Sequence, residues 1–503
     1  MTKGESAIRN PRSAIIWLLF AAAIVVVFFA GLTIPLVGPD EPRYAQVARE
    51  MFERHDWITP TLGGFNWFEK PALLYWLEIV SYNIFGVSEF AARFGSALFG
   101  LGTVAALWIL GRNIETTNDE QRTTNEYPNW LALIAGSTIG LIAFAHGASF
   151  DIILTFPITA AMVSYFVYER RGRIGWLVSS YFFIGVALLA KGLVGIVFPF
   201  AIVAFFHLLR WKMPSRTLIL SGVWGTVLAC LVAATWYLPM YMRHGYEFVD
   251  QFLIQHHFQR FTSNKYLHPQ PFYFFFWVLP LMTIPWLPFF AIGLWRFGKR
   301  FVQRIAADAN EDPGQLQNLS LFAFAWLAVP VVFFSFSGSK LPGYILPALP
   351  AAIILAADVI YDFARKSGAK AMLVRAIAAA TLALVLVSII VFAPGFAEAD
   401  SVKPLFAVAR ARGLEGLPVL TMHRVSHNAE FYATGPLLRD AEGKQDRLTG
   451  PKEVLAEMRK LGTNRALVMI PPEYKHHLTQ SDLVQTEILQ SNEDWALALV
   501  SEK

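Results

Sequence analysis

The sequence predicts a polytopic α-helical membrane protein that ends in a small soluble α/β domain. Three observations carry this reading. Of its 503 residues, 55% are hydrophobic and only 16% charged, where soluble chains carry about 25% charged residues, and mean hydropathy is +0.44. About eleven segments reach the roughly 20 apolar residues that a bilayer crossing requires. Beyond Pro394-Gly395 the composition turns charged and the hydrophobic period shortens.

The apolar segments lie near 14–34, 90–111, 129–147, 150–168, 174–190, 192–209, 217–239, 272–295, 319–337, 344–361 and 372–394. Lys3, Arg9 and Arg12 precede the first of them. That run is too long for the apolar part of a cleaved signal and no A-x-A site follows it, so it reads as a signal-anchor. With the N-terminus inside, the inner loops are 1–13, 112–128, 169–173, 210–216, 296–318 and 362–371. They hold Arg170-Arg171-Gly172-Arg173, Arg210-Trp211-Lys212 and Arg296-Phe297-Gly298-Lys299-Arg300, as the positive-inside rule requires. Loops 35–89 and 240–271 and the segment 395–503 then lie outside. The expected organisation is a transmembrane domain over 1–394 and a soluble domain over 395–503.

In the terminal segment, Leu417–Thr421, Arg465–Ile470 and Trp495–Val500 are strand-like, and Lys452–Leu461 follows a helical period. Roughly a hundred residues suffice for a modest core of its own. Gly136 and Gly140 form a GxxxG, read as a helix-packing contact. Cys230 is the sole cysteine, so no disulfide framework exists. The basic residues are spread through loops and form no nucleic-acid stripe. A monomer is expected.

Candidate chemistry concentrates on the outer side. Residues 38–71 open on Asp40-Glu41-Pro42-Arg43, with Pro suited to the first helical position. Tyr44, Val47, Ala48, Met51 and Phe52 then recur at helical spacing, describing an amphipathic helix along a membrane surface. Its acidic pair either caps the helix or serves catalysis, and the two roles can coexist. Glu69-Lys70-Pro71 closes the loop, and an apolar helix follows from Ala72 to Phe85. Asp151 begins the fourth span, where an N-cap is the plain alternative. Lys191 sits in a tight turn between spans, and Lys340 and Tyr344 lie at the mouth of span ten. For these lysines the alternative is snorkelling. Asp358, near an inner span end, is given no role. The loop 240–271 adds His257, Arg260 and His268, and the aromatic run 272–277 reads as an interfacial belt.

Charges at membrane depth cost about 2.5–3.5 kcal/mol each on insertion scales, so such residues are kept for pairing or function. Carboxylates and cations gathered on one outer face suit an anionic substrate presented by the lipid. No Walker sequence and no strand–GxGxxG–helix unit occurs, so no nucleotide cofactor is indicated. A sugar carried on a lipid phosphate fits. Its leaving group is already acidic and needs only cations around it, while one carboxylate on the acceptor side deprotonates or orients the nucleophile. Direct displacement would invert the anomeric centre, and Asp40 is the candidate base. Glu69, His257 and His268 could form an N/N/O site for a divalent, zinc-like metal, although two histidines eleven residues apart have no diagnostic spacing. The rival reading is a transporter or flippase of a lipid-linked anion. Such proteins place ionisable groups near the bilayer midplane on broken helices, whereas these candidates sit at span ends.

These residues also carry a family resemblance. The order D-E-P-R-Y (40–44), His55-Asp56-Trp57, F-E-K-P (68–71), Asp151, L-A-K-G (189–192), H-F-Q-R-F (257–261) and S-K-L-P-G-Y-I-L-P (339–347) resembles the glycosyltransferase C-type membrane transferases related to protein mannosyltransferases. It is most similar to the lipid A 4-amino-4-deoxy-L-arabinose transferases, over about residues 15 to 350. The resemblance implies a glycosyltransferase C-type fold in a bacterial inner membrane, with a periplasmic active site. The implied reaction moves an aminoarabinose-like sugar, galacturonic acid or a hexose from undecaprenyl phosphate to lipid A or a related envelope acceptor. It further implies Asp40 as the first-loop catalytic carboxylate and Asp151 as the second acidic residue, to which the acidic pair in the sequence adds Glu41. It places Arg43, Lys70, Arg260 and Tyr344 around the carrier phosphate and Glu69, His257 and His268 around a metal, and the reading of the residues adds Lys191 and Lys340 to the phosphate set. Pro42 stands where the family usually has Thr, and Leu193 where K-G-P has Pro, which leaves sugar and acceptor open.

Overall fold

The computed structural model describes residues 11–114, 126–259, 269–306 and 315–503. Its first helices are α1 (Pro11–Phe29), α2 (Asp40–Glu53), α3 (Leu73–Phe85), α4 (Glu89–Arg112), α5 (Tyr127–Gly136), α6 (Ile139–Ala145), α7 (Phe150–Arg171), α8 (Ile174–Lys191), α9 (Val194–Arg210) and α10 (Arg216–Val249). The chain divides into two units. One holds Met1–Ala30, Glu69–Leu74 and Gly95–Leu386, and the other Gly31–Phe68, Tyr75–Phe94 and Val387–Lys503.

The first unit is a helical bundle. Among the described residues, seven helices of the chain are long and apolar enough to cross a membrane, or eight if the bent pair α5 and α6 is one span. Each apolar segment expected from the sequence has a helical counterpart. The expected span 272–295 is broken into Phe274–Met282 and Leu287–Ala306. Small residues let the helices approach. A Cβ on Gly225 would overlap the Tyr181 ring, and one on Gly195 would meet the Ala187 backbone. The GxxxG straddles a 59° bend between α5 and α6, with Gly136 against Ile24 and Gly140 against Met282. Backbone groups freed by this bend find partners within the protein, as burial demands. Ile139 N donates to Ile284 O (2.9 Å), and Trp286 Nε1 donates to Ile134 O (3.2 Å).

The expected outer loop 240–271 departs from its sequence reading. The helix of α10 reverses at Gly245 (φ +54°) and continues as a π-helix over Asp250–Gln259. Phe248 and Phe252 thereby return onto Trp236, with ring centroids 5.5 and 5.9 Å away. At the expected inner ends, the basic clusters meet carboxylates: Arg210–Glu169 (3.4 Å), Arg296–Asp362 (3.2 Å) and Arg300–Asp358 (3.7 Å).

The second unit joins the first outer loop to the C-terminal segment. A small hairpin, β1 (Thr61–Leu62) and β2 (Phe65–Asn66), follows α2. The terminal segment builds a four-stranded sheet from β3 (Val419–Thr421), β4 (Arg465–Ile470), β5 (Val484–Ser491) and β6 (Ala496–Glu502). Strand order is β3-β4-β6-β5, with β3 and β4 parallel and the rest antiparallel. Val454, Leu455 and Met458 on the helix Pro451–Lys460 pack onto it, closing a core with Val468, Ile470 and Ala498. The boundary expected at Pro394-Gly395 does not interrupt the backbone. Helical structure runs from Gly368 to Asp400, because Pro394 falls in the first turn of the helix Ala393–Asp400, where its missing N–H costs little. The last stretch of the second unit begins at Val387.

Candidate active site

In the first unit, chemistry gathers where α7 begins, α8 ends and the turn 340–344 packs. Ser149 caps α7, its Oγ accepting from Asp151 N (3.2 Å), so Asp151 is not the cap and its carboxylate is left for another partner. That partner is Lys191, the last residue of α8, which ion-pairs with Asp151 Oδ1. A cation at a helix C-terminus is favoured by the helix dipole. The same ammonium lies 4.7 Å from the Tyr344 ring centroid, a cation–π contact. Both partners of the pair are largely enclosed, with side chains 18% exposed. Gly343 makes this approach possible, since a Cβ there would lie 1.8 Å from Asp151 Oδ2.

Lys340 opens the same turn and is 7% exposed. Its Nζ donates to Ser337 O (2.7 Å) and Gln270 O (3.0 Å). Among the described residues it pairs with no carboxylate. An ammonium has three N–H donors, so one remains beyond these two carbonyls. Glu69 and Lys70 pair with each other at 3.1 Å.

In the second unit, Asp40 and Glu41 begin α2 and take different roles. Glu41 is buried and receives a bidentate pair from Arg93, Nη2 to Oε2 at 2.7 Å and Nε to Oε1 at 3.2 Å. Val37 N also donates to it (3.0 Å). Arg93, 2% exposed, spends its remaining donors on Leu32, Ile34 and Pro35 carbonyls (3.3, 2.5 and 3.0 Å). All five guanidinium hydrogens are thus engaged, and Glu41 is the counter-charge of a clasp that folds residues 32–41. Glu41, expected in the acidic catalytic set, thus has the Arg93 guanidinium as its partner. Asp40, by contrast, has a half-exposed side chain and pairs with Arg43. Arg43 also donates Nε to Pro39 O (2.9 Å) and stacks over Trp67 (5.8 Å). Neither acid caps α2, whose N-cap is Pro39.

Two neighbours escaped the sequence reading. His427 lies within electrostatic reach of Asp40 and Arg43; burial and then Arg43 lower its pKa below the ordinary 6.5, against the pull of Asp40. Glu78 on α3 is fully buried, and among the described residues neither carboxyl oxygen has a hydrogen-bond partner. An isolated E in the apolar run YWLEIV was the available signal. Arg260 and His268 lie outside the described residues, as does the side chain of His257. Glu69 is therefore the described member of the expected metal set, and among the described residues no group of three such side chains could hold a metal.

Comparison with known proteins agrees with this architecture. Residues 15–248 match the family model for dolichyl-phosphate-mannose-protein mannosyltransferase. An undecaprenyl phosphate-α-4-amino-4-deoxy-L-arabinose arabinosyl transferase of Serratia proteamaculans is 30% identical over 347 residues, 67% of this chain and 58% of that protein. The match thus spans less than two thirds of that relative's length. The same-named protein of Aeromonas hydrophila is 27% identical over 80% of this chain and 72% of its own. Among solved structures, ArnT from Cupriavidus metallidurans bound to undecaprenyl phosphate superposes with TM-score 0.73 at 23% identity, covering 96% of this chain and 97% of that one. Its apo form gives 0.75, covering 97% and 98%. Residues 15–248 thus resemble the mannosyltransferase family model, and the fold is that of a polytopic helical membrane protein. Its fold, a helical bundle with a small C-terminal sheet domain, is that of the two ArnT structures.

Proposed function

We propose that this protein is a glycosyltransferase that takes a sugar from undecaprenyl phosphate and delivers it, with inversion, to lipid A or a related envelope acceptor at the periplasmic face of the bacterial inner membrane. The carrying observation is the enclosed grouping of Lys340, Lys191, Tyr344 and Asp151. The ammonium of Lys340 is held by two carbonyls with no carboxylate partner among the described residues. A buried cation left without its own counter-ion is suited to a departing phosphate. Lys191 supplies a second cation, which Asp151 positions. Lys70 and Arg260 keep their phosphate roles within the same reading.

Asp40 supplies the acceptor-side carboxylate, with Arg43 orienting it. Where the nucleophile is a lipid A phosphate, already ionised near neutral pH, Asp40 orients more than it deprotonates. Glu69 is paired with Lys70; in this reading Glu69, His257 and His268 would hold a divalent, zinc-like metal that organises the loops and has no direct part in the transfer. A transporter is less well supported, because Asp151 is the second residue of α7 and Lys191 the last of α8. Both sit at helix ends and not at the middle of a broken helix.

Mass spectrometry of lipid A and surface glycans from cells with and without the protein tests the reading. Lipid A should gain one sugar mass when the protein is present, and Asp40→Asn should abolish the gain with expression unchanged. Identical glycans from both cell lines would refute the function, and a sugar found only on another glycan would correct the acceptor.

A further inference from the structure

The second unit contains a cleft of about 380 Å³ that none of the candidate catalytic residues lines. This is within the range of small-ligand sites, about 300–1,000 Å³. It opens between the middle of α2, the β1–β2 hairpin and residues 430–439. Along α2 at 1.5 Å per residue, Gln46 to Glu50 lie roughly 9–15 Å beyond Asp40.

Charges in its wall cancel internally. Glu50 accepts from Thr61 Oγ1 (2.7 Å), Gly63 N (2.6 Å) and Gly64 N (3.2 Å). Glu430 accepts from Arg439 and from Gln445 Nε2 (2.7 Å), and Arg439 donates again to Gly443 O (2.9 Å). Arg49 is paired with Glu53 (2.8 Å). Two arginines face two glutamates, each already engaged, so the cleft offers an anion no uncompensated cation. Hydrogen-bonding capacity nevertheless remains. The Oε1 of Gln46, in the wall, and the Oγ1 of Thr434, between lining residues Ala433 and Gly435, are shielded from solvent and have no partner among the described residues. A buried acceptor left unpaired costs about 1–3 kcal/mol, a cost removed when the side chain turns into the cleft toward a ligand hydroxyl. Phe65 adds an apolar ring that is 42% exposed. Internally paired charges and a side-chain amide beside an exposed aromatic ring match a sugar, which has hydroxyls on its edge and C–H groups on its face.

We propose that this cleft binds a neutral, unphosphorylated sugar of the acceptor glycan, away from the point of transfer. The proposal rests on the glycosyltransferase reading above for its acceptor. Binding energy from such a remote sugar would hold the acceptor while chemistry proceeds elsewhere on it.

The test uses the full chain in nanodiscs, with Phe65→Ala and Gln46→Ala made separately and checked for unchanged melting. N,N′-diacetylchitobiose is the neutral probe and N-acetylglucosamine 1-phosphate the anionic one, titrated by saturation-transfer NMR. The neutral disaccharide should bind, each substitution should weaken it at least five-fold, and the phosphorylated sugar should bind no tighter. In turnover, acceptor KM should rise at least five-fold while donor KM and kcat hold. Absence of disaccharide binding, affinity in either variant within five-fold of the parent, or tighter binding of the phosphorylated sugar would each overturn the proposal. A chain that transfers no sugar but binds the disaccharide through Phe65 and Gln46 would instead sink the glycosyltransferase reading and leave the cleft as a sugar site.

Discussion

Gly343→Ala is a one-carbon change that should disable the grouping around Asp151 without touching any of its charges. The added Cβ would lie 1.8 Å from Asp151 Oδ2 and 2.5 Å from its Cγ, against 3.4 Å for ordinary contact, so the carboxylate must retreat by about 1.6 Å. Phe144 Cε1, 2.8 Å from the same point, narrows the room for Gly343 itself to move. Asp151 cannot retreat that far and keep its pair with Lys191, so the ammonium loses the partner that positions it over Tyr344. Overpacking costs about 1–3 kcal/mol of stability, which a folded membrane protein can survive. A misplacement of about 1 Å in a reacting site can cost on the order of 10²-fold in rate. Sugar transfer in nanodiscs should therefore fall about 100-fold. Because both changes act through one carboxylate, Asp151→Asn with Gly343→Ala should be no slower than Asp151→Asn alone. Gly298→Ala, which meets open space in a helix, is the control and should leave transfer unaltered. Transfer by Gly343→Ala within threefold of the parent, or losses that multiply in the double variant, would refute the reasoning.

Three further expectations concern the second unit. Arg93→Ala leaves Glu41 buried without its partner, and removing one member of a buried pair costs about 3–5 kcal/mol; thermal melting in detergent should drop sharply, and an unchanged midpoint would show the clasp to be dispensable. Burial, with the Glu41 carboxylate second, raises the Glu78 pKa well above 4.5, so the unfolded chain ionises first and the native state loses stability as pH rises past about 4.5. Glu78→Leu should then raise the melting temperature near pH 7.5 and leave it unmoved near pH 4; a lower midpoint at the higher pH contradicts this. For His427 the folded pKa lies below 6.5, so the unfolded chain binds the proton first and stability declines as pH falls from about 6.5. His427→Gln should flatten the melting profile between about pH 7 and 5.5, and a slope equal to the parent's would exclude His427 as its source.

What the sequence disclosed, and what it hid, depends on the range over which each interaction acts. The spans and the sheet domain were legible because hydrophobic length and period are local properties. Strand β5 escaped notice because its alternation slips at the bulge between Ile488 and Gln490, where one extra residue reverses the facing of the rest of the strand. Asp151 and Lys191 were legible as ionisable groups at span ends, but their pairing was not, since 40 positions separate them and Gly343 completes the fit from a third place in the chain. Glu41 shows the limit most sharply. Side by side in sequence, Asp40 and Glu41 read as equivalent acids at a helix start. The difference lies in Arg93, 52 residues onward in an apolar helix, whose five hydrogen bonds take Glu41 and leave Asp40 half exposed beside Arg43. A charge in an apolar run is costly enough that it must find a partner, so Arg93 itself announced that some carboxylate would be claimed. Only the three-dimensional approach of residues 32–41 to Arg93 decided which one.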